Sequence, residues 1–163
     1  MTLIAIDGPA GAGKTTLAAQ FHSDFSKEKS VSIIHMDFLY AGWDNVFDER
    51  LTSTLKMIVD EYNALRPFTI EIFNWKSMAF DSLLTFEPTD ILIIEGVGAG
   101  QSIVRDGGAI TYWLDIEPSI GLERVLQRDG YEIESQMRQW QIDQEEHFAR
   151  DLTRNHAHYI LTS

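Results

Sequence analysis

The chain of 163 residues contains no cysteine, which excludes disulfides, thiolate-held metals and a cysteine nucleophile. That absence fits a reducing, cytoplasmic setting. Positive charge is scarce as well: 13 Lys and Arg stand against 25 Asp and Glu, for a formal net charge of −12. That balance argues against a nucleic-acid partner, because phosphate backbones demand clustered Lys and Arg. No apolar run approaches membrane-spanning length, so a membrane is not an expected partner either. Met1-Thr2-Leu3 leads directly into the first apolar segment, so no signal peptide is expected. Repeats, low-complexity tracts and linkers are missing too, and the length suits one compact core. Residues 1–163 are therefore expected to form a single domain.

What the sequence does have is a glycine-rich turn. Gly8-Pro9-Ala10-Gly11-Ala12-Gly13-Lys14-Thr15 fits the pattern G-x-x-x-x-G-K-[ST] and follows the apolar run Leu3-Ile4-Ala5-Ile6. A strand, this turn and then a helical pattern is the context of a phosphate-binding P-loop. Its glycines let backbone N–H groups curl around anionic oxygens where a β-carbon would clash. The helix that follows points its N-terminus at the same oxygens. The expected nucleotide-binding residues are Gly8, Ala10, Gly11, Ala12, Gly13, Lys14, Thr15 and Thr16. Lys14 supplies a charge for the outer phosphates of ATP, and Thr15 a hydroxyl ligand for Mg²⁺.

Strand and helix patterns alternate along the whole chain, which reads as α/β with a parallel sheet. Strands are expected over about Thr2–Ile6, Val31–His35, Phe68–Phe73, Ile91–Ile94, Ala109–Ile116 and, as an edge, His158–Leu161. Ile91–Ile94 is continuously apolar, as in a strand covered on both faces. Helices are expected over about Lys14–Lys27, from Asp48 to a stop at Pro67, after Gly100, over Pro118–Asp129 and over Ser135–Arg150. The architecture this implies is the three-layer P-loop NTPase fold. It has a parallel sheet of about five strands in the order 2-3-1-4-5, with helices on both faces.

Ligands of such sheets bind at the carboxyl ends of the strands. The expected ends here are His35-Met36-Asp37-Phe38-Leu39-Tyr40, Phe73-Asn74-Trp75 and Glu95-Gly96-Val97-Gly98. At these residues the chain resembles the uridine kinase family of P-loop phosphotransferases. That family carries Asp-x-x-Tyr after its second strand, Glu-Gly after a hydrophobic strand, and an Arg-rich helix leading through Arg-Asp into a lid. Asp37…Tyr40, Glu95-Gly96 and Arg124…Arg128-Asp129 occur in the same order.

The resemblance implies a catalytic carboxylate at Asp37, a Mg²⁺ site completed by Glu95, and transition-state cations at Arg124 and Arg128, one helical turn apart. Arg105 and Arg138 are weaker candidates. The lid, about residues 129–138, departs from the family: Gly130-Tyr131-Glu132-Ile133-Glu134 stands where further basic residues are usual. Asp7 precedes the loop and is expected to stabilise it. Tyr40, Trp43, Phe73, Trp75 and Trp140 are candidate walls for an acceptor pocket, although Phe73-Asn74 replaces the family's Tyr-Asp. His22, His35, His147, His156 and His158 show no metal-binding spacing. The expected activity is transfer of the γ-phosphate of ATP to a hydroxyl of a small molecule, a nucleoside first. A sugar, acid or vitamin precursor as acceptor, and a regulatory ATP-binding protein, are the alternatives. A GTPase is disfavoured, because no Asn-Lys-x-Asp is present.

Overall fold

The computed structural model describes residues 1–163. Its strands are β1 (Thr2–Asp7), β2 (Val31–His35), β3 (Phe68–Asn74), β4 (Ala79–Phe86), β5 (Ile91–Glu95), β6 (Ile110–Asp115) and β7 (Tyr159–Thr162). Its helices are α1 (Lys14–Phe25), α2 (Glu49–Asn63), α3 (Ser102–Asp106), α4 (Pro118–Asp129) and α5 (Glu134–Asp151). Five strands form one parallel sheet in the order β2-β5-β1-β6-β7. Counted among themselves these strands run 2-3-1-4-5, the expected order.

Side-chain alternation along the two central strands builds a core on each face. Leu3 and Ala5 of β1 join Leu92 and Ile94 of β5 on one side, where α2 contributes Leu51, Leu55, Ile58 and Tyr62. Ile4 and Ile6 join Ile91 and Ile93 on the other, beneath Leu17, Ala18, Phe21 and Phe25 of α1. The second layer is thinner, and the aromatic side chains of α1 are only half-buried there. Phe21 meets Tyr112 of β6 edge-on with centroids 5.0 Å apart. No helix is long and apolar enough to cross a membrane.

Local signals set the helix ends. Asp48 caps α2 by accepting from Leu51 N at 2.9 Å, and the helix stops short of Pro67 as expected. Its last turn is tied to the sheet by Tyr62, whose hydroxyl lies 3.0 Å from Thr2 O and 3.1 Å from Thr89 O. Pro118 opens α4, where Glu117 accepts from Ile120 N.

Two differences from the sequence reading affect the site. Phe68–Asn74 is not a strand of the parallel sheet. It pairs antiparallel with β4 in a separate hairpin, so Phe73-Asn74-Trp75 is a hairpin tip and not a parallel-strand end. The hairpin is anchored by Phe68, Ile70 and Phe86 in the larger core. The expected lid shrinks to Gly130 and one 3₁₀ turn, Tyr131–Ile133, before α5 begins.

The helix α4 lies directly on the glycine-rich loop. At Gly121 a β-carbon would stand 2.6 Å from Ala10 O. An alanine in a helix ordinarily gains about 1 kcal/mol over glycine, but here the overlap is with backbone that has nowhere to move. Gly121→Ala is expected to destabilise the protein by about 1–3 kcal/mol and to weaken nucleotide binding. Denaturant unfolding with nucleotide titration checks both, and a stabilised variant would contradict this packing.

Candidate active site

The turn between β1 and α1 has its own internal bonding. Lys14 Nζ donates to Pro9 O at 2.7 Å, and Ala12 N to the same carbonyl at 3.2 Å. The first backbone bond of α1 is Leu17 N to Gly13 O. The N–H groups of Lys14, Thr15 and Thr16 therefore have no acceptor within the helix and face outward, as an anion site requires. Ala10 N is spoken for, because Gln144 of α5 accepts it at 3.0 Å.

Asp7 fixes this turn from beneath. Its carboxylate is buried and accepts from Gly8 N at 2.7 Å, Gly98 N at 2.9 Å and Gly100 N at 2.8 Å. The loop after β5 is thereby pinned to the loop after β1. Burial pushes the Asp7 carboxyl up to about 6, against the pull of these backbone donors and of Lys14. Lys14 is buried as well, and desolvation brings its ammonium down to about 8 despite Asp7, Glu95 and Asp37 nearby.

A cleft of about 720 Å³ opens at the carboxyl edge of the sheet. It brings together Lys14, Thr15, Asp37, Glu95, Arg124 and Arg128, drawn from four separate segments. Glu95 ends β5 and is nearly buried, and its Oε1 accepts from Thr15 Oγ1 at 3.0 Å. Gly96 beside it has a left-handed φ of 139° and lies so close to Met36 that a side chain would collide. That contact draws the Asp37 turn against the end of β5. Asp37 is solvent-accessible within the cleft. Partial desolvation there and the Glu95 carboxylate raise its pKa, while Arg128, Lys14 and His35 oppose the rise.

Other expected residues lie outside the cleft or serve it indirectly. Gly8 sits behind it against Leu114, and Ala12 is buried in the smaller core; Ala10, Gly11, Gly13 and Thr16 line it. Arg124 reaches Gly11 O at 3.3 Å and Ser163 Oγ at 2.6 Å. Arg128 is held by Asp129 through Nε at 2.7 Å and Nη2 at 2.6 Å. Arg105 is tied to Gly100 O and Asp151, and Arg138 to Glu134 on an exposed helix face. Neither of these two arginines lines the cleft.

Beside Asp37 the cleft is walled by Trp43, Trp75 and Trp140, with Val97, Ile133 and Met137. Trp43 meets Trp75 at 5.1 Å and Trp140 at 6.0 Å, both edge-on. Trp75 Nε1 donates to Asp37 O at 3.0 Å. Tyr40 is fully buried and its hydroxyl donates to Val97 O at 2.6 Å, so it braces the wall more than it offers a face. Phe73 does not line the cleft. The sequence reading missed Ile133 and Met137, although Met137 precedes Trp140 by one helical turn. It also missed Gln144, for which no local signal exists.

No group of three or more His, Cys, Asp or Glu side chains surrounds one point. The donors present are hard oxygens, Thr15 Oγ1 and a Glu95 carboxylate with its Oε2 free of protein partners. This set fits Mg²⁺, which keeps several waters and takes one or two protein ligands together with phosphate oxygens. His147 is buried beside Phe47, and its Nε2 has no partner. Desolvation pushes its pKa down, which keeps the ring neutral.

A P-loop at the central strand of a five-stranded parallel sheet, with acids at the neighbouring strand ends, defines the fold of the P-loop kinases. In sequence the chain is similar to bacterial uridine kinases. It is 28% identical over 142 residues to the uridine kinase of Macrococcus caseolyticus, covering 78% of this chain and 68% of that one. It is 26% identical over 156 residues to the uridine kinase of Lactobacillus johnsonii, covering 85% and 74%. A possible uridine kinase from Bacillus stearothermophilus shares the fold, with a TM-score of 0.70 at 17% identity over 98% of this chain and 88% of its own. No family model matches the chain.

Moving the Asp7 carboxyl from 3.8 to about 6 on folding corresponds to about 3 kcal/mol. Because the folded value is the higher one, this contribution favours the native state below about pH 4 and is lost as pH rises through 6. Asp7→Asn does not titrate. Its stability relative to the wild type is therefore expected to rise by up to about 3 kcal/mol between pH 4 and pH 7, measured by urea unfolding across that range. A pH-independent difference would show that the Asp7 carboxyl keeps its ordinary pKa.

Proposed function

We propose that the chain is an ATP-dependent kinase of small molecules, transferring the γ-phosphate to a hydroxyl group, with a nucleoside as the favoured acceptor. The observation that carries this reading is the convergence of Lys14, Thr15, Asp37 and Glu95 on one cleft with an aromatic wall beside Asp37. The similarity to uridine kinases supports the acceptor class.

In this reading the outward N–H groups at the start of α1 and the Lys14 ammonium bind the triphosphate. Thr15 and Glu95 would hold Mg²⁺, which screens the charge of the phosphate oxygens. Asp37 orients the acceptor hydroxyl and takes its proton as the phosphoryl group arrives. Its raised pKa makes it a stronger base, and Arg128 and Lys14 favour its ionised form. Arg128, once released from Asp129, and Arg124 supply charge at the transferring group. The short turn 131–133 and the start of α5, carrying Ile133 and Met137, exclude water from above.

One observation favours a second acceptor type. The only indole N–H in the wall with a protein acceptor, that of Trp75, is spent on Asp37 O, and Val97, Ile133 and Met137 are apolar. Such a wall offers stacking surface to any flat ring, so a ring-bearing hydroxy compound other than a nucleoside is the runner-up.

Two variants test the reading. Lys14→Ala is expected to remove most triphosphate affinity while the fold survives, measured by calorimetry and circular dichroism. Asp37→Asn is expected to keep ATP binding and to lose phosphoryl transfer by about 10²–10⁴-fold in a labelled-ATP assay across nucleosides, sugars and hydroxy acids. Full activity of Asp37→Asn would remove Asp37 from the chemistry. Binding of ATP with no acceptor phosphorylated would favour a regulatory protein.

A further inference from the structure

His35 is the last residue of β2, and the parallel register sets it directly beside Glu95, the last residue of β5. Its Nδ1 lies 2.5 Å from Glu95 Oε1, the same oxygen that accepts from Thr15 Oγ1 at 3.0 Å. The other carboxylate oxygen, Oε2, has no protein partner, and Glu95 lines the cleft while His35 does not. The imidazole thus approaches Glu95 from outside the cleft. Its ring is set edge-on against Phe38, at 5.3 Å and 83°.

We infer that His35 is a positioning residue: together with Thr15 it fixes one oxygen of Glu95 so that the other is presented to a divalent cation bound with the nucleotide. The inference rests on the reading of Glu95 as a metal-facing carboxylate. A carboxylate with one anchored oxygen has its rotamer chosen in advance, and the free oxygen then points in one direction. Outer partners of this kind are typically worth 10–100-fold in metal affinity. A contact that merely clips β2 to β5 would stabilise the sheet edge without any link to a metal.

The test is calorimetric titration of the full chain with a non-hydrolysable ATP analogue, once with Mg²⁺ and once with a chelator. The ratio of the two affinities reads the contribution of the protein to metal binding, independent of turnover. His35→Leu is expected to lower that ratio by about 10–100-fold while leaving metal-free affinity unchanged. His35→Asn, whose amide nitrogen can take the place of Nδ1, is expected to restore most of it. Thermal melts confirm that both variants are folded.

An unchanged ratio in His35→Leu overturns the inference. So does a loss shared equally by metal-free and metal-bound nucleotide, which marks a structural clip, and so does an Asn variant no better than the Leu one. A wild-type protein whose affinity ignores Mg²⁺ overturns the metal-facing reading of Glu95 itself, and this inference with it.

Discussion

Asp7 gathers Gly8, Gly98 and Gly100 onto one carboxylate, and the geometry of the cleft follows from that junction. The loops after β1 and β5 come from adjacent strands but have no backbone ladder of their own to align them. A buried acceptor with three lone-pair directions filled does that work. Glu95 can then face Thr15, because the segment that follows Glu95 is tied to the segment that precedes the P-loop. Burial opposes the charge on Asp7, and the backbone donors offset part of that cost. The arrangement it enforces comes at some expense in stability once the group is ionised.

The distribution of the few cations is uneven in a way the composition does not reveal. Arg105 and Arg154 are engaged with Asp151 and Asp115, and Arg66 and Arg138 with surface glutamates. Lys14, Arg124 and Arg128 alone face the cleft. In a chain of net charge −12 they form a small positive island, and Asp129 restrains one member of it.

How much of this was legible in sequence depended on whether the signal was local. The P-loop, the Asp48 cap, Pro118 and the apolar run at Ile91 are decided within a few residues, and they read correctly. Strand β4 gave no signal, because Ala79–Phe86 is exposed along nearly all of its length and lacks the alternation that burial imposes. That omission left Phe68–Asn74 without its partner and made it look like one more parallel strand. Asp37, Glu95 and the arginines were reached through motif order, and the cleft does assemble them. Gln144, His35 and Asp129 act across tens of residues or through a neighbour, where spacing carries no information.

The hairpin has a consequence for how such a molecule can change. Its inner residues Phe68, Ile70 and Phe86 belong to the core, while its tip carries Trp75 to the cleft and the outer face of β4 is open to water. Because it shares no ladder with the parallel sheet, its tip can be rewritten without shifting a strand register or disturbing the phosphate loop. The glycine-rich loop and the aromatic wall of the cleft are thus built on different pieces of chain, joined through the bond from Trp75 to Asp37 O. Drift or redesign at residues 76–78 has room to reshape the rim of the cleft while Trp75 keeps its bond to Asp37 O and the glycine-rich loop stays as it is.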